Sequence, residues 1–264
     1  MVMATPRARA SRASTDSGFA LYDEMRRACR ERFASFLYAT SPPGRGDGPH
    51  PLSAPHIRGM YRALQTATEH VESGRSYYAI VMCPPQHWKS STCGQRYPVW
   101  HLGRNPTHRV LEVSYSSAIC NRNSRNAMRL MQTPLVRELF GVETDRRQQS
   151  VASWALKAGG GMNVAGFGGS ITGHRADVII IDDYCKGRAE AESKNMRDRV
   201  WDSFVNDVMS RRAPAHAVII VATPWHEDDL VGRIRREMAE NEAFPRFEVL
   251  RYPAWTEGRG WLFP

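Results

Sequence analysis

The run from Cys83 to Ser90 combines residue types that hold phosphate groups in nucleotide-binding proteins. It reads Cys-Pro-Pro-Gln-His-Trp-Lys-Ser, whereas the usual pattern of a phosphate-binding loop is G-x-x-x-x-G-K-[ST]. In such loops, backbone N–H groups and a helix N-terminus surround the phosphates, and the lysine reaches the outer ones. The lysine and the hydroxyl are kept here, while Cys83 and Trp88 replace the two glycines. The spacing therefore predicts a phosphate site with an altered loop.

The loop lies between a predicted strand and a predicted helix, which is the context that phosphate-binding loops require. The preceding run, Tyr77–Met82, is apolar and rich in strand-favouring residues, and Ser90–Leu102 can form the helix. The residues that we predict to bind the nucleotide phosphates are Pro85, Gln86, His87, Trp88, Lys89, Ser90 and Ser91.

Two adjacent carboxylates follow a strongly apolar predicted strand. Val178–Ile181 is wholly aliphatic, as strands buried on both faces are, and Asp182 and Asp183 come directly after it. Ligands of open α/β sheets bind at the carboxyl ends of strands. We predict that Asp182 holds Mg²⁺ opposite the Ser90 hydroxyl, and that Asp183 orients and deprotonates the attacking water. The alternative is a solvated turn after a buried strand.

A second aliphatic strand ends in a small polar residue. Ala217–Ala222 is followed by Thr223 and Pro224. Thr223 is placed to contact the γ-phosphate or its water and to couple hydrolysis to the next helix. As the alternative, Thr223-Pro224 only stops the strand, and the acidic run Glu227–Asp229 only begins a helix.

From Tyr77 onward, strands and helices alternate, which predicts an α/β fold with a mostly parallel sheet flanked by helices. The remaining predicted strands are Arg109–Ser114 and, more weakly, Phe247–Leu250. The predicted helices are Ser17–Tyr38, Pro55–Ser73, Ser90–Leu102, Ala118–Met131, Ala189–Arg211 and Asp228–Asn241. The glycine-rich segment Ala158–Thr172 predicts a hairpin or a mobile loop.

Composition restricts the class of protein. Of the 264 residues, 42% are hydrophobic, and no apolar run approaches the roughly 20 residues that cross a bilayer. Five cysteines without C-x-x-C spacing favour free thiols and provide no zinc signature. The net charge is +9, and 32 of the 36 basic residues are arginine. The charge favours a nucleic-acid partner, although a GC-rich genome also enriches arginine.

Several short blocks follow one another in a fixed order along about residues 54–264. They are Ala54-Pro-His56, Pro84-Pro-x-His-x-Lys-Ser90, Leu102-Gly-Arg-Asn-Pro106, Ser114-Tyr-Ser116, Gly169-x-Ile-Thr-Gly173, Ile179-Ile-Ile-Asp-Asp183, Ala191-Glu-Ser193 and Trp225-His-Glu-Asp-Asp229. Through these blocks the chain resembles the N-terminal ATPase half of a large terminase subunit, the DNA-packaging motor of tailed bacteriophages. Their order makes the resemblance more specific than any single block.

The resemblance implies a RecA-like P-loop NTPase that hydrolyses ATP with Mg²⁺ and drives double-stranded DNA into a procapsid. It also implies a portal protein and a small terminase subunit as partners, a ring of roughly five subunits, and a place in the host cytoplasm at the portal. The isolated chain can be monomeric, and no membrane is involved. Lys89, Ser90, Asp182, Asp183 and Thr223 match the positions for phosphate, magnesium, base and coupling roles, and His56 matches a contact to the nucleotide base.

Composition and the resemblance together give the expected domain boundaries. Residues 1–16 are expected to be a disordered basic tail, and 17–52 a helix with a Pro/Gly-rich connector. Residues 53–250 are expected to be the ATPase domain, and 251–264 the start of a linker. A nuclease domain follows that linker in the family, so we expect no DNA cleavage by these residues.

Three arginines are candidates for an arginine finger, which neutralises charge on the terminal phosphate. Arg175 stands just before the strand that ends at Asp182, where some ring motors supply a finger to a neighbouring subunit. Arg122 and Arg125 follow the end of the Arg109–Ser114 strand and are rival candidates. A solvated surface role is the ordinary alternative for each of them.

Trp88 and Cys83, which replace the two loop glycines, motivate a second function. A side chain at position 88 crowds the phosphates, so the ring must stack outward, distort the loop or obstruct the nucleotide. The alternative to a motor is therefore a degenerate P-loop domain that serves as a binding or assembly module. A helicase-type ATPase is disfavoured, because no second motor domain with arginine motifs is recognisable in the sequence.

Overall fold

The computed structural model describes residues 20–41, 51–169, 175–258 and 260–262. The predicted tail 1–16, most of the predicted connector, and residues 170–174 lie outside these ranges.

An eight-stranded sheet forms the centre of the fold, in the order β3-β4-β5-β2-β6-β7-β1-β8. Its strands are β1 (Tyr77–Met82), β2 (Arg109–Ser114), β3 (Thr144–Gln149), β4 (Ser153–Leu156), β5 (Gly161–Gly166), β6 (Ala176–Asp182), β7 (Arg212–Ala222) and β8 (Glu248–Arg251). The six strands from β5 to β8 in this order pair in parallel, and β3 and β4 are antiparallel. Near the end of the described chain, β9 (Trp255–Thr256) and β10 (Gly260–Trp261) form a small hairpin.

Helices cover both faces of the sheet. They are α1 (20–31), α2 (Phe33–Thr40), α3 (Pro55–Glu72), α4 (Tyr97–Arg104), α5 (Ser117–Met131), α6 (Pro134–Phe140), α7 (Arg188–Glu192), α8 (Lys194–Ser203) and α9 (Leu230–Glu240). Two π-helical segments, Ser90–Arg96 and Phe204–Val208, and two short 3₁₀ segments, Pro51–Ser53 and Met209–Arg211, complete the helical structure. None of the helices in the described ranges is long and apolar enough to span a membrane.

The two faces of the sheet belong to separate hydrophobic clusters. Along β6, Val178 and Ile180 join the cluster beneath α2–α6, while Ile179 and Ile181 join the cluster beneath α9. This division follows from the two-residue period of a strand, whose successive side chains point to opposite faces. Burial on both faces explains why the predicted strand is wholly aliphatic.

The strand register aligns the ends of the central strands. Met82 pairs with Ala222, Asp182 with Val221, and Val113 with Ile181. The residues that directly follow β1, β6 and β7 therefore lie at one edge of the sheet, as the sequence predicted.

Two predicted helices are interrupted. The described part of Ser17–Tyr38 breaks at Arg32, which has extended backbone, and the Phe33 N–H donates to Gln65 Oε1 on α3. This break lets the start of α2 pack into the core. The predicted helix Ala189–Arg211 is interrupted by the N-cap Ser193 and then by the Phe204–Val208 segment, and β7 begins at Arg212 instead of Ala217.

The glycine-rich segment contains a strand of the main sheet. β5 forms a hairpin with β4, which precedes the glycine-rich segment, and it also pairs in parallel with β2. Glycine is required at position 161, because a Cβ there would lie 2.2 Å from the Trp154 carbonyl oxygen and the φ is +158°. The sequence did not predict β3, β4 or α6. Their short length and polar exposed faces carry little periodic signal.

Candidate functional site

Three hydrogen bonds donated by backbone N–H groups connect the ends of three strands. The Cys83 N–H donates to the Ala222 carbonyl at 3.2 Å, and the Asp183 N–H donates to the Val221 carbonyl at 2.9 Å. The Thr223 N–H donates to Asp183 Oδ1 at 3.1 Å. These bonds place a loop, a carboxylate and a hydroxyl side by side.

The Lys89 ammonium is at the centre of this arrangement. Its Nζ donates to Thr223 Oγ1 at 2.6 Å, to Asp183 Oδ1 at 3.2 Å and to the Cys83 carbonyl at 3.4 Å. The Lys89 side chain is only 5% exposed. Three residues predicted from separate parts of the sequence thus contact one another, although the roles assigned to them remain predictions.

The loop backbone shows the effect of replacing the two glycines with Cys83 and Trp88. Trp88 has a φ of +62°, as does Gln86. A left-handed conformation costs a residue with a side chain roughly 1–2 kcal/mol, which is why glycine is usual at this position. Cys83 is buried and is not among the residues with positive φ, so a side chain is accommodated there.

The Trp88 ring is partly buried and packs against the hydrophobic cluster beneath α2–α6. This packing offsets part of the backbone cost. The ring therefore packs against the core instead of stacking outward, and the backbone of Trp88 is left-handed. Trp88 also lines the adjacent cleft.

An open cleft of about 500 Å³ lies beside the loop. This volume is within the roughly 300–1,000 Å³ that is usual for ligand sites. Its lining residues are Pro85, Gln86, His87, Trp88, Lys89, Ser90, Ser91, Gln95, Arg96, Arg122 and Asp183. All seven loop residues predicted to bind nucleotide phosphates therefore line one cleft together with Asp183.

Asp182 lies buried behind this cleft. The pKa of Asp182 is raised to about 6, mainly by burial and further by the charge of Asp183. The Ser90 hydroxyl, the Lys89 charge and the Asn123 amide lower this pKa and offset part of the rise. Asp182 Oδ2 accepts from Asn123 Nδ2 at 3.0 Å, whereas Oδ1 has no hydrogen-bond donor among the described residues. A buried carboxylate oxygen without a donor is costly unless a ligand satisfies it.

Ser90 and Asp182 fit the predicted magnesium site. Mg²⁺ is usually bound through one or two protein oxygens, with phosphates and waters completing its octahedron. In the described part of the chain there is no group of three or more His, Cys, Asp or Glu side chains that could hold a metal. The donor set therefore suits a cation that arrives with phosphate groups.

A buried polar network supports Asp182, and the sequence reasoning missed it. Asn123 Nδ2 also donates to Glu112 Oε1 at 2.7 Å, and Asn123 Oδ1 accepts from Gln95 Nε2 at 3.0 Å. Burial holds the pKa of Glu112 well above its usual range, and the Asp182 charge raises it further. The available signal was a single carboxylate within the apolar strand β2.

Gly94 makes room for this network. A Cβ at Gly94 would lie 2.8 Å from both Glu112 Oε1 and Asn123 Nδ2. Glycine in the helical segment after the loop therefore lets that segment approach the buried amide and carboxylate closely.

His56 contacts the loop from α3. Its ring centroid lies 5.2 Å from that of His87 and 6.4 Å from that of Tyr252. Burial lowers the pKa of His56 to about 4, with His87 adding to the effect. The residues that line the cleft do not include His56, and its predicted contact to a nucleotide base remains a prediction.

The structure separates the candidate arginines. Arg175 is exposed and precedes β6, whereas Asp182 ends the same strand. Seven strand residues span about 20 Å, so Arg175 does not join the site of its own chain. Its predicted action on a neighbouring subunit remains a prediction. Arg122 instead lines the cleft, and Arg125 is exposed one turn further along α5.

The parallel sheet, the loop ending in Lys-Ser and the carboxylates at the strand end define a P-loop nucleotide-binding fold. Residues 80–257 match the family model described as "Terminase large subunit, T4likevirus-type, N-terminal". The match covers more than half of the sequence, and the chain belongs to this family of large terminase subunits.

A solved structure shows the same fold. The crystal structure of the HK97 bacteriophage large terminase aligns with 87% of this chain, with a TM-score of 0.56 and 16% sequence identity. The chain spans 45% of the length of that terminase. A search of curated proteins gave no match.

Proposed function

We propose that this chain is the ATP-hydrolysing motor domain of a phage large terminase and drives double-stranded DNA into a procapsid. The observation that carries the proposal is the convergence of Lys89, Asp183 and Thr223 within hydrogen-bonding distance beside the cleft. A purely structural strand end does not require a buried ammonium ion between a carboxylate and a hydroxyl.

Each residue has a distinct role in the proposed reaction. Lys89 binds the outer phosphates, and Ser90 and Asp182 hold Mg²⁺, which neutralises charge on the phosphates. The two hydrogen bonds that described residues donate to the Asp183 carboxylate both use Oδ1, which leaves Oδ2 to orient and deprotonate the attacking water. Thr223, bonded to Lys89, is placed to sense the loss of the terminal phosphate and to move the segment before α9.

The direct test is the rate of ATP hydrolysis with Mg²⁺. Lys89→Ala is expected to reduce hydrolysis to background and to weaken binding of a slowly hydrolysed ATP analogue in calorimetry. Lys157→Ala is the matched control, because Lys157 is an exposed lysine that pairs with Glu143 away from the cleft. Hydrolysis by Lys89→Ala at the parent rate would refute the site assignment.

The left-handed Trp88 within the cleft lining favours a second candidate, a P-loop module that binds partners without hydrolysis. Calorimetry separates the two candidates. Absence of ATP-analogue binding by the parent at millimolar concentration, with binding gained by Trp88→Gly, would favour the module. Binding by the parent in the micromolar range would favour the motor.

The proposed partners are double-stranded DNA, a portal protein, a small terminase subunit and further copies of the chain in a ring of roughly five. Family membership and the net charge of +9 support these partners. The proposed setting is the host cytoplasm, with transient docking at the procapsid. If a neighbouring subunit completes the site, the hydrolysis rate per subunit rises with protein concentration or on adding portal. A rate that stays flat under both conditions would argue against action between subunits.

A further inference from the structure

We propose that Arg122 contacts the terminal phosphate of the nucleotide bound by its own chain. This inference rests on the proposed nucleotide site and adds to it a cationic residue that acts within the subunit.

The position of Arg122 is fixed by the site itself. The next residue, Asn123, is fully buried and bonds to Asp182 Oδ2 and to Glu112 Oε1. These bonds anchor the second turn of α5 against the predicted magnesium ligand. Arg122 extends from this anchored turn and lines the cleft together with Lys89 and Asp183.

The two arginines that line the cleft differ in their partners. Arg96 Nε and Nη2 donate to the Thr40 carbonyl, and its Nη1 donates to the Ser91 carbonyl and hydroxyl. Arg122 is exposed, and among the described residues it forms no ion pair and no hydrogen bond through its guanidinium. Of these two, Arg122 therefore has the donors available for a ligand.

The charge balance of the cleft also favours a phosphate contact by Arg122. Asp182 and Asp183 bring negative charge to the site, and Lys89 is already paired with Asp183. A triphosphate adds several more negative charges. A free guanidinium supplies compensating charge, and its planar fork of donors can bind two phosphate oxygens in parallel.

The rival arginines are less well placed. Arg175 lies at the amino end of β6, about 20 Å along the strand from Asp182. Arg125 is on the same helix as Arg122 and is also exposed, but it is not among the residues that line the cleft. Arg125 therefore provides a matched control of the same residue type on the same helix.

The first experiment measures binding of ADP and of a non-hydrolysable ATP analogue by calorimetry, on protein dilute enough to be monomeric. Arg122→Ala is expected to weaken the ATP analogue about tenfold or more and to leave ADP nearly unchanged, because one charge-assisted contact is lost. Arg125→Ala is expected to leave both unchanged. Equal weakening for the two nucleotides, or the same effect in Arg125→Ala, would overturn the proposal.

The second experiment distinguishes action within a subunit from action between subunits. Arg122→Ala protein is mixed with Lys89→Ala protein, which can lend an arginine but cannot use its own site. We expect no recovery of ATP hydrolysis, and recovery would overturn action in the same chain. The parent and Lys89→Ala test the proposed function separately: hydrolysis by the parent that is lost in Lys89→Ala supports the site whatever the result for Arg122.

Discussion

Both ends of the central sheet contain buried polar groups, but the two ends differ in how far these groups find hydrogen-bond partners. At the amino end, His216 Nδ1 contacts the Ala213 carbonyl and its Nε2 contacts the Tyr78 hydroxyl, while His101 contacts Thr68 and His108. At the carboxyl end, three buried oxygens have no hydrogen-bond partner among the described residues, namely Asp182 Oδ1, Glu112 Oε2 and Ser114 Oγ, whereas the amino end of β7 is bordered by one unpartnered buried nitrogen, Arg211 Nε. Since an unpartnered buried oxygen is costly, the difference marks the carboxyl end as the place where a ligand completes the structure.

Backbone strain follows the same division. Gln86, Trp88 and Asp183 are the non-glycine residues with positive φ in the described chain, and all three lie at the carboxyl end. Strained residues persist where the surrounding contacts over-determine them, and such residues cluster at functional sites. The substitutions expected to show this contrast with the largest effect therefore change one carboxylate at each end of β6.

Asp183→Asn is expected to lower kcat for ATP hydrolysis about 10²–10⁴-fold, because an amide cannot accept the proton of water. Nucleotide binding should remain within a few-fold of the parent. The matched control is Asp177→Asn at the amino end of β6, where Oδ2 accepts from the Arg109 N–H at 2.7 Å. An amide oxygen can still accept that bond. An equal loss of kcat in both variants would remove the functional distinction between the two ends.

Asn123→Ala tests the network behind the site. It leaves Glu112 Oε1 and Asp182 Oδ2 without their donor, at a cost of about 1–3 kcal/mol in the free energy of unfolding. The Mg²⁺ concentration that half-activates hydrolysis should also rise about tenfold, because Asp182 loses its orientation. The amino-end counterpart, Asn105→Ala, removes a more exposed bond to Glu72 and should leave the Mg²⁺ requirement unchanged.

The pH dependence of stability should have opposite signs at the two ends. The pKa of Asp182 is raised to about 6 by burial, so the folded state binds its proton more tightly and this stabilisation is lost as pH rises from about 4 to 6. Burial lowers the pKa of His101 to about 3, so its neutral form is favoured and stability is lost as pH falls below about 6.5.

Denaturant melts from pH 4 to pH 8 measure both effects in the nucleotide-free protein. Asp182→Asn should reduce the loss of unfolding free energy that occurs as pH rises from about 4 to 6. His101→Gln should reduce the opposite loss of unfolding free energy that occurs as pH falls below about 6.5. Each group contributes at most about 1.4 kcal/mol per pH unit. An unchanged profile in Asp182→Asn would contradict a raised pKa at that carboxyl.

The smallest expected effect concerns the left-handed loop. Trp88→Gly and Trp88→Ala both remove the ring, but only glycine relieves the positive φ, so the glycine variant should be more stable by about 1 kcal/mol. On α5, Arg125→Gly should instead be less stable than Arg125→Ala by about 1 kcal/mol. Thermal or denaturant unfolding gives both differences, and the same sign at both positions would contradict the strained loop.

The sequence predicted the elements whose signals are local. β1, β2 and the ends of β6 and β7 were found because runs such as Val178–Ile181 are apolar throughout and are followed by polar residues. The interruption at Ser193 and the placement of β5 were missed. Both depend on contacts with distant residues, since β5 is held by β2 and β4 and contains the glycines that usually indicate loops.

The sequence by itself determined which chemistry the chain can offer: a lysine and a hydroxyl after one strand, two carboxylates after another, and a threonine after a third. Parallel α/β topology then places their strand ends at the same edge of the sheet, and the order β6-β7-β1 brings Lys89, Asp183 and Thr223 into contact. Only the tertiary structure decided the environment of these groups. It brought Asn123 and Glu112 behind Asp182, gave Trp88 its left-handed backbone, and placed Arg122 in the cleft with Arg175 at the opposite end of the sheet. Burial, register and helix orientation are set by contacts far apart in the chain, and residue types at local spacing do not encode them.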